Sequence, residues 1–252
     1  MLVSIICVCN NREILENCLV KGLGIQTYEY ELIILDNSQG KFKSAAEALN
    51  SGAREAKGEL FIFVHQDIKM EDKNFLEECF FYLVNFKNAG IFGIAGKSIK
   101  NDEIISNMMH GNPPVPVSKT WINSPVNVQT LDECLLIIPR QRFIETPFDA
   151  ETCDDWHLYG VDYCLTMISK GYEVVVLPLS VYHLSDGVSL NSLYFSSLEK
   201  VIQKHKHETD VIATTVQNWR TDRSVLRQKY AFLFTLYWNN FWEGRTKKSN
   251  LP

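Results

Sequence analysis

The chain has 252 residues, 46% hydrophobic and 22% charged, which is the balance of an ordinary globular protein long enough to bury a sizeable core. A formal charge of −5 removes any general case for a nucleic-acid partner. Residues 200–252 stand apart, because ten Lys and Arg against four Asp and Glu give them +6 and leave −11 for the rest.

Seven cysteines, most of them inside apolar runs and none in a CxxC pair, read as reduced core thiols rather than as a disulfide framework or a zinc site. The start, "MLVSIICVCNNRE", lacks a basic n-region and a small-residue cleavage site, and no apolar run approaches the length needed to cross a bilayer. The expected location is cytoplasmic.

In chain order, "LVSIICVC" is the continuous apolar run of a strand covered on both faces. "NREILENCLVKGLG" follows with Ile14, Leu15, Cys18 and Leu19 at helical spacing. "YELIILDNSQG" is a second buried strand running into turn chemistry, and "FKSAAEALNSGAREAKG" an alanine-rich helix. "ELFIFV" is a third strand, "KNFLEECFFYLVNFKNAG" an amphipathic helix, and "IFGIAG" a fourth strand. Such alternation predicts an α/β fold with a mostly parallel central sheet, right-handed crossovers and flanking helices. Residues 98–130 hold too many prolines and asparagines for regular structure and read as a long surface excursion. Then come a strand, "ECLLIIP", a helix, "DDWHLYGVDYCLTMISKG", and a strand pair, "YEVVVLPLSVYH". Beyond about Leu190 the alternation stops, and "SLYFSSLEKVIQKHKH", "ETDVIATTVQNWR" and "SVLRQKYAFLFTLYWNNFW" read as helices. The expected division is a catalytic domain over 1–187 and a helical extension over 188–252.

Polar residues gather at the predicted strand ends: Asn10-Asn11-Arg12, Asp36-Asn37-Ser38, His65-Gln66-Asp67 and His183. Ligands of open parallel sheets bind at those carboxyl ends. The first strand-to-helix turn has no GxGxxG, so backbone cannot cradle a pyrophosphate there. A divalent cation, Mg2+ or Mn2+, is the natural alternative, since it takes one or two protein ligands and completes its shell with phosphate oxygens and water.

The segments "VSIICVCNNRE", "ELIILDNSQG", "ALNSGAREAKGELFIFVHQD" and "FDAETCDDWHLYGVDYCLTMISKGYEVVVLP" resemble, in order and spacing, successive motifs of family 2-type glycosyltransferases with the GT-A fold. The similarity covers roughly residues 1–187, and its most specific part is the Asn-x-Gly-x-x-x-Ala-x-Gly run from Asn50 to Gly58 ahead of a strand and an Asp. The resemblance implies transfer of a sugar, hexosyl or deoxyhexosyl, from a nucleotide diphosphate donor to a saccharide or lipid-linked acceptor, usually with inversion. It puts His65-Gln66-Asp67 where that family has its metal-binding DxD, so Asp67 would ligate the metal and His183 would join it. Cys9, Asn11, Arg12 and Asp36 would line the nucleotide pocket with His65 and Gln66; for Asp36 the plain alternative is a turn residue binding its own backbone. For His65 a ribose or phosphate contact and a bond to backbone stand level.

An inverting transfer needs a carboxylate base beside the acceptor hydroxyl. The family usually supplies it from an acidic pair in the segment matching Leu158 to Asp162, but here the pair reads Tyr159-Gly160. The candidates left are Asp155 and Asp162, seven residues apart and on one face if the segment is helical, with Asp162 also open to a purely structural role. A lost base would make the protein a catalytically weak or silent nucleotide-sugar binder. A nucleotidyltransferase is the other competing reading, weakened by the absence of a glycine-rich basic loop after the first strand. Asp132 and Glu133 could meet acceptor hydroxyls, and Trp121 and Trp156 could stack on a sugar. In the tail, "RQKYAFLFTLYWNNFWEGRTKK" sets an aromatic helix between basic clusters. Packing or homodimerisation with Trp238, Phe241 and Trp242 buried is the first expectation, and peripheral contact with an anionic membrane the second.

Overall fold

The run from Val3 to Cys9 carries one polar side chain, Ser4, and forms a fully embedded strand (β1). In the computed structural model, which describes residues 1–100, 102–185, 191–235 and 238, β1 lies inside a seven-stranded sheet. The other principal strands are Tyr30–Asp36 (β2), Leu60–Val64 (β3), Ile68–Met70 (β4), Ala89–Gly93 (β5), Leu135–Pro139 (β6), Glu173–Val176 (β7) and Val181–His183 (β8). The principal helices are Arg12–Leu15 (α1), Ala45–Glu55 (α2), Phe75–Asn85 (α3), Tyr159–Ser169 (α4) and Ser192–His205 (α5). Sheet order is Val126–Asn127, then β7, β5, β6, β3, β1 and β2.

The sheet is mixed, with five of its seven strands running the same way. β1 runs parallel to β2 and β3, and β7 parallel to β5, but β6 is antiparallel to both its neighbours and Val126–Asn127 is antiparallel to β7. The chain enters β6 from the long excursion, at the end where the other strands finish, so it must run back. Its Cys134 carbonyl accepts the His65 amide at 2.9 Å, which sets the start of β6 beside the end of β3.

Strand alternation divides the core into two layers. Ile6, Phe61 and Phe63 face one layer, and Ile5, Cys7, Ile62 and Val64 the other. The Asn50 to Gly58 run is scaffolding. Asn50 exchanges two side-chain hydrogen bonds with the Phe148 backbone, and Gly52 lets α2 lie against Ile6 and Leu35. Gly58 leaves room for Ser4, whose Oγ accepts the Gly58 amide and donates to Glu31. That network satisfies the one hydroxyl in the middle of β1.

Several sequence expectations are corrected. The excursion is pinned by short strands, among them Met109–His110, which pairs parallel with β8. The first helix is broken into α1, a π-helical turn Glu16–Val20 and Lys21–Leu23, so its extra residue is absorbed without a loop. "ETDVIATTVQNWR" is a hairpin, Val211–Ala213 with Asn218–Arg220, as its β-branched residues favour. Asp155 precedes α4 instead of riding on it, because that helix starts only at Tyr159. α5 and the hairpin bury Leu198, Val201, Ile212 and Trp219 in the same cluster as β1 and β3. Residues 225–235 are helical, with Phe232 against Trp219. Phe241 and Trp242 lie outside the described residues, as does the expected boundary at 187/188.

Candidate functional site

Where β1, β2 and β3 end, the sheet opens into a cavity of about 380 Å3. Its walls come from Val8 in β1 and Asn10 just after it, Asn37 after β2, Ala45 and Leu49 on α2, and Trp156 before and Tyr159 at the start of α4; Val64, His65, Gln66 and Asp67 complete it. Such a volume suits a small ligand of several rings.

His65, Asp67 and His183 converge there, with one ligating atom from each lying within 4.8 Å of the others. Backbone pairing causes this convergence. β8 lies antiparallel to β4 with His183 opposite Ile68, and the Leu184 amide donates to the Asp67 carbonyl at 3.0 Å. Asp67 Oδ2 then stands 3.3 Å from His183 Nε2. Two adjacent ligands of one octahedral ion, each about 2.1 Å from it, are about 3 Å apart. Two imidazoles and a carboxylate therefore fit a divalent cation, and the nitrogen donors suit Mn2+ better than Mg2+.

Electrostatics agree. Desolvation of its ring, together with the charge of His183, draws the His65 pKa below its ordinary value against the opposing charge of Asp67, although the side chain keeps an exposed edge. Burial works against the Asp67 carboxylate, yet the hydrogen bond and charge from His183, with His65 beyond, outweigh it and hold its pKa below the usual range.

The other sequence candidates are placed differently. Cys9 points into the core layer containing Ile5 and Cys7, because side chains alternate along β1; Val8 and Asn10 take the cavity side. Asn11 caps α1 by accepting the Ile14 amide. Arg12 pairs with Glu16 on the open surface. Asp36 is exposed at the rim and accepts the Ser38 amide at 2.8 Å, the turn geometry weighed against its nucleotide role. Gln66 lines the cavity as a clamp: its Oε1 accepts the Asn10 and Asn11 amides and its Nε2 donates to Asn10 Oδ1.

Asp162 is corrected as a base. It is 2% exposed, with Oδ1 2.8 Å from His205 Nε2 and Oδ2 2.8 Å from Lys204 Nζ, so both oxygens are committed to docking α5. Asp155 is buried and accepts the His157 amide. Asp154 pairs with Lys200 on the surface. Asn10, Asn37, Tyr159 and Trp156 are the wall residues that the sequence reading missed or weighed lightly. Trp156, 38% exposed, lines the cavity together with the buried Tyr159.

A family model described as "Glycosyltransferase like family" matches residues 4–205. The chain belongs to that family. Its match includes His65, Asp67, His183 and α5. Solved structures with the same GT-A fold include GalNAc-T7 with UDP, GalNAc and Mn2+ (TM-score 0.59, 13% identity, 81% of this chain and 48% of that one). The mannosyltransferase PcManGT from Pyrobaculum calidifontis with GDP-Man and Mn2+ is similar at TM-score 0.56 and 13% identity, over 82% of this chain and 64% of that one. TarS of S. aureus gives 0.55 and 14%, over 81% and 65%. A curated protein of Fuscovulum blasticum, "ATP synthase subunits region ORF 6", is 21% identical over 165 residues, 63% of this chain. This glycosyltransferase-like chain spans 65% of that relative and between 48% and 65% of the structures just named.

Proposed function

We propose that the protein is a metal-dependent, inverting glycosyltransferase that moves a sugar from a nucleotide diphosphate donor to a saccharide or lipid-linked acceptor. The observation that carries it is the His65, Asp67 and His183 cluster on the floor of a cavity at the strand ends. In this reading His65-Gln66-Asp67 stands where the family has DxD, and a cation held by Asp67 and the two imidazoles would neutralise the diphosphate of the donor and of the leaving group. Asn10 offers its amide to the nucleotide, Asp36 its exposed carboxylate to the ribose or base, and Trp156 a face for the sugar. Gln66 keeps the Asn10-Asn11 turn closed so that this wall is preformed.

Among the described residues no helix is long and apolar enough to cross a membrane. The helix over 225–235 nevertheless leaves Leu226, Tyr230 and Phe234 exposed at four-residue spacing, in line with the exposed Trp238 and beside Arg223 and Arg227. An apolar stripe edged by basic residues supports contact with the anionic cytoplasmic face of a membrane, where a lipid-linked acceptor would lie.

The test is release of nucleoside diphosphate from UDP-, GDP- and dTDP-sugars with Mn2+. Release that stops on chelation and in Asp67→Ala supports the transferase. Release that persists in both sinks the metal-dependent reading.

A further inference from the structure

The base of the reaction has no acid at the helix position where the resemblance looks for one, since that position is Gly160. The space beside it is filled by a carboxylate from another element. Glu133 Oε1 accepts the Gly160 amide at 2.7 Å, and a Cβ built on residue 160 would stand 2.9 Å from Glu133 Cγ and 2.9 Å from Leu136 Cδ1. The glycine and the glutamate are therefore one arrangement: a side chain at 160 would have to displace both Glu133 and Leu136 from these places.

Glu133 stands behind the cavity wall at Tyr159, and three further facts bear on its place. β6 pairs with β3 through the His65 amide and the Cys134 carbonyl, so Glu133 is one residue from the partner of His65. Tyr159, a wall residue, directs its hydroxyl to the Glu133 carbonyl at 3.3 Å. Glu133 is also partly exposed, unlike Asp155 and Asp162. The neighbouring acid Asp132 is engaged by the Cys134 amide and the Thr215 hydroxyl.

We propose that Glu133 is the general base of the transfer, a carboxylate supplied by the strand β6 that replaces the missing acid on α4. The inference rests on the transferase reading. In the step, the acceptor O–H proton passes to a Glu133 carboxylate oxygen while the acceptor oxygen bonds to the anomeric carbon. The bond from that carbon to the donor phosphate breaks, and its electron pair leaves with the nucleoside diphosphate. The Gly160 amide holds the carboxylate through Oε1 and the Leu158 amide also bonds it, so the acceptor proton would be taken on a lone pair that these amides do not use.

The surroundings suit a proton acceptor working near neutrality. Partial burial, and secondarily the charges of Asp132 and Asp155, push the Glu133 carboxyl above its ordinary pKa, against the amides of Gly160 and Leu158. Tyr159, Tyr194, Cys153 and Cys164 also feel its charge, and burial keeps all four protonated over the working range.

A plain helix-capping role for Glu133 is separable from a base. Glu133→Gln keeps an oxygen for the Gly160 amide and loses the proton acceptor. With UDP-, GDP- and dTDP-sugars, Mn2+ and water as the acceptor probe, Glu133→Gln is expected to lower kcat roughly 10²- to 10⁴-fold. Mn2+ affinity and the thermal midpoint should stay at wild-type values, and the limb of rate that rises with pH should disappear. A second variant moves the acid back: Glu133→Ala with Gly160→Asp, the alanine making room for the new side chain, should recover rate lost in Glu133→Ala alone. Wild-type turnover with Glu133→Gln unimpaired overturns the base assignment and leaves the transferase standing. No release from any donor by the wild-type chain overturns the transferase reading and the base with it.

Discussion

Asp67 Oδ2 and His183 Nε2 lie 3.3 Å apart, brought together by the antiparallel pairing of β4 with β8. Neither residue makes a site without the other. Asp67→Ala is expected to abolish Mn2+ binding in titration calorimetry. His183→Ala should weaken it by more than the roughly 10- to 100-fold typical of losing an outer-shell partner. Wild-type Mn2+ affinity in Asp67→Ala would remove the metal centre.

The buried Asp162, His205 and Lys204 group predicts a stability effect. Asp162→Ala removes one carboxylate from a buried imidazole that keeps Glu208 and from a half-buried ammonium that keeps Asp149, so the loss should be at most about 3 kcal/mol, the low end for broken buried pairs. Urea denaturation reads it directly. An unchanged midpoint would mean that α5 is not docked through this pair.

His205 adds a pH dependence. Burial opposes its charge, but the hydrogen bonds to Asp162 and Glu208 outweigh burial and raise its pKa above the ordinary value. A pKa raised on folding contributes stability that is fully present below the unfolded value of about 6.5 and is lost as pH rises through the folded value. The urea midpoint of the wild type should fall, relative to His205→Gln, as pH is taken from about 6 upward past that point. Parallel curves for the two proteins would contradict it.

Two glycine substitutions should rank in a definite order. A Cβ on Gly22 would meet the Met70 backbone nitrogen at 2.6 Å and oxygen at 2.9 Å, in a strand that supports the metal site. On Gly160 it meets side-chain atoms, at 2.9 Å. Side chains yield more cheaply than backbone, so Gly160→Ala should cost about 1–3 kcal/mol and Gly22→Ala more. Thermal unfolding of the pair decides, and the reverse order would show that β4 moves freely.

The exposed stripe Leu226, Tyr230 and Phe234 predicts flotation with vesicles containing anionic lipid. Leu226→Glu with Phe234→Glu should abolish it without loss of folding, since both side chains are at least 60% exposed. Equal flotation of the two proteins would exclude this face, and a shift from dimer to monomer on substitution would assign the stripe to a second copy instead.

The sequence by itself determined the layered α/β core. Continuous apolar runs such as VSIICVC and LFIFV can satisfy their side chains only between two layers, and glycines at 52 and 58 sit where helix and strand approach too closely for a Cβ. It also determined the cluster of Asp67 and His183, because residues at strand ends converge wherever those strands share a sheet edge or a neighbouring ribbon. Tertiary structure alone decided the direction of β6, which depends on where a long excursion re-enters the sheet. It also decided that Cys9 faces the core while Asn10 faces the cavity, a matter of strand parity that no run of apolar residues reveals when both faces are buried. The same holds for acids. Asp162 and Glu133 look alike as letters, yet one is neutralised by a helix that follows it in the chain and the other is seated against a glycine on another element. A carboxylate's role is set by the partners that reach it through space, and those are fixed only when the chain has closed on itself.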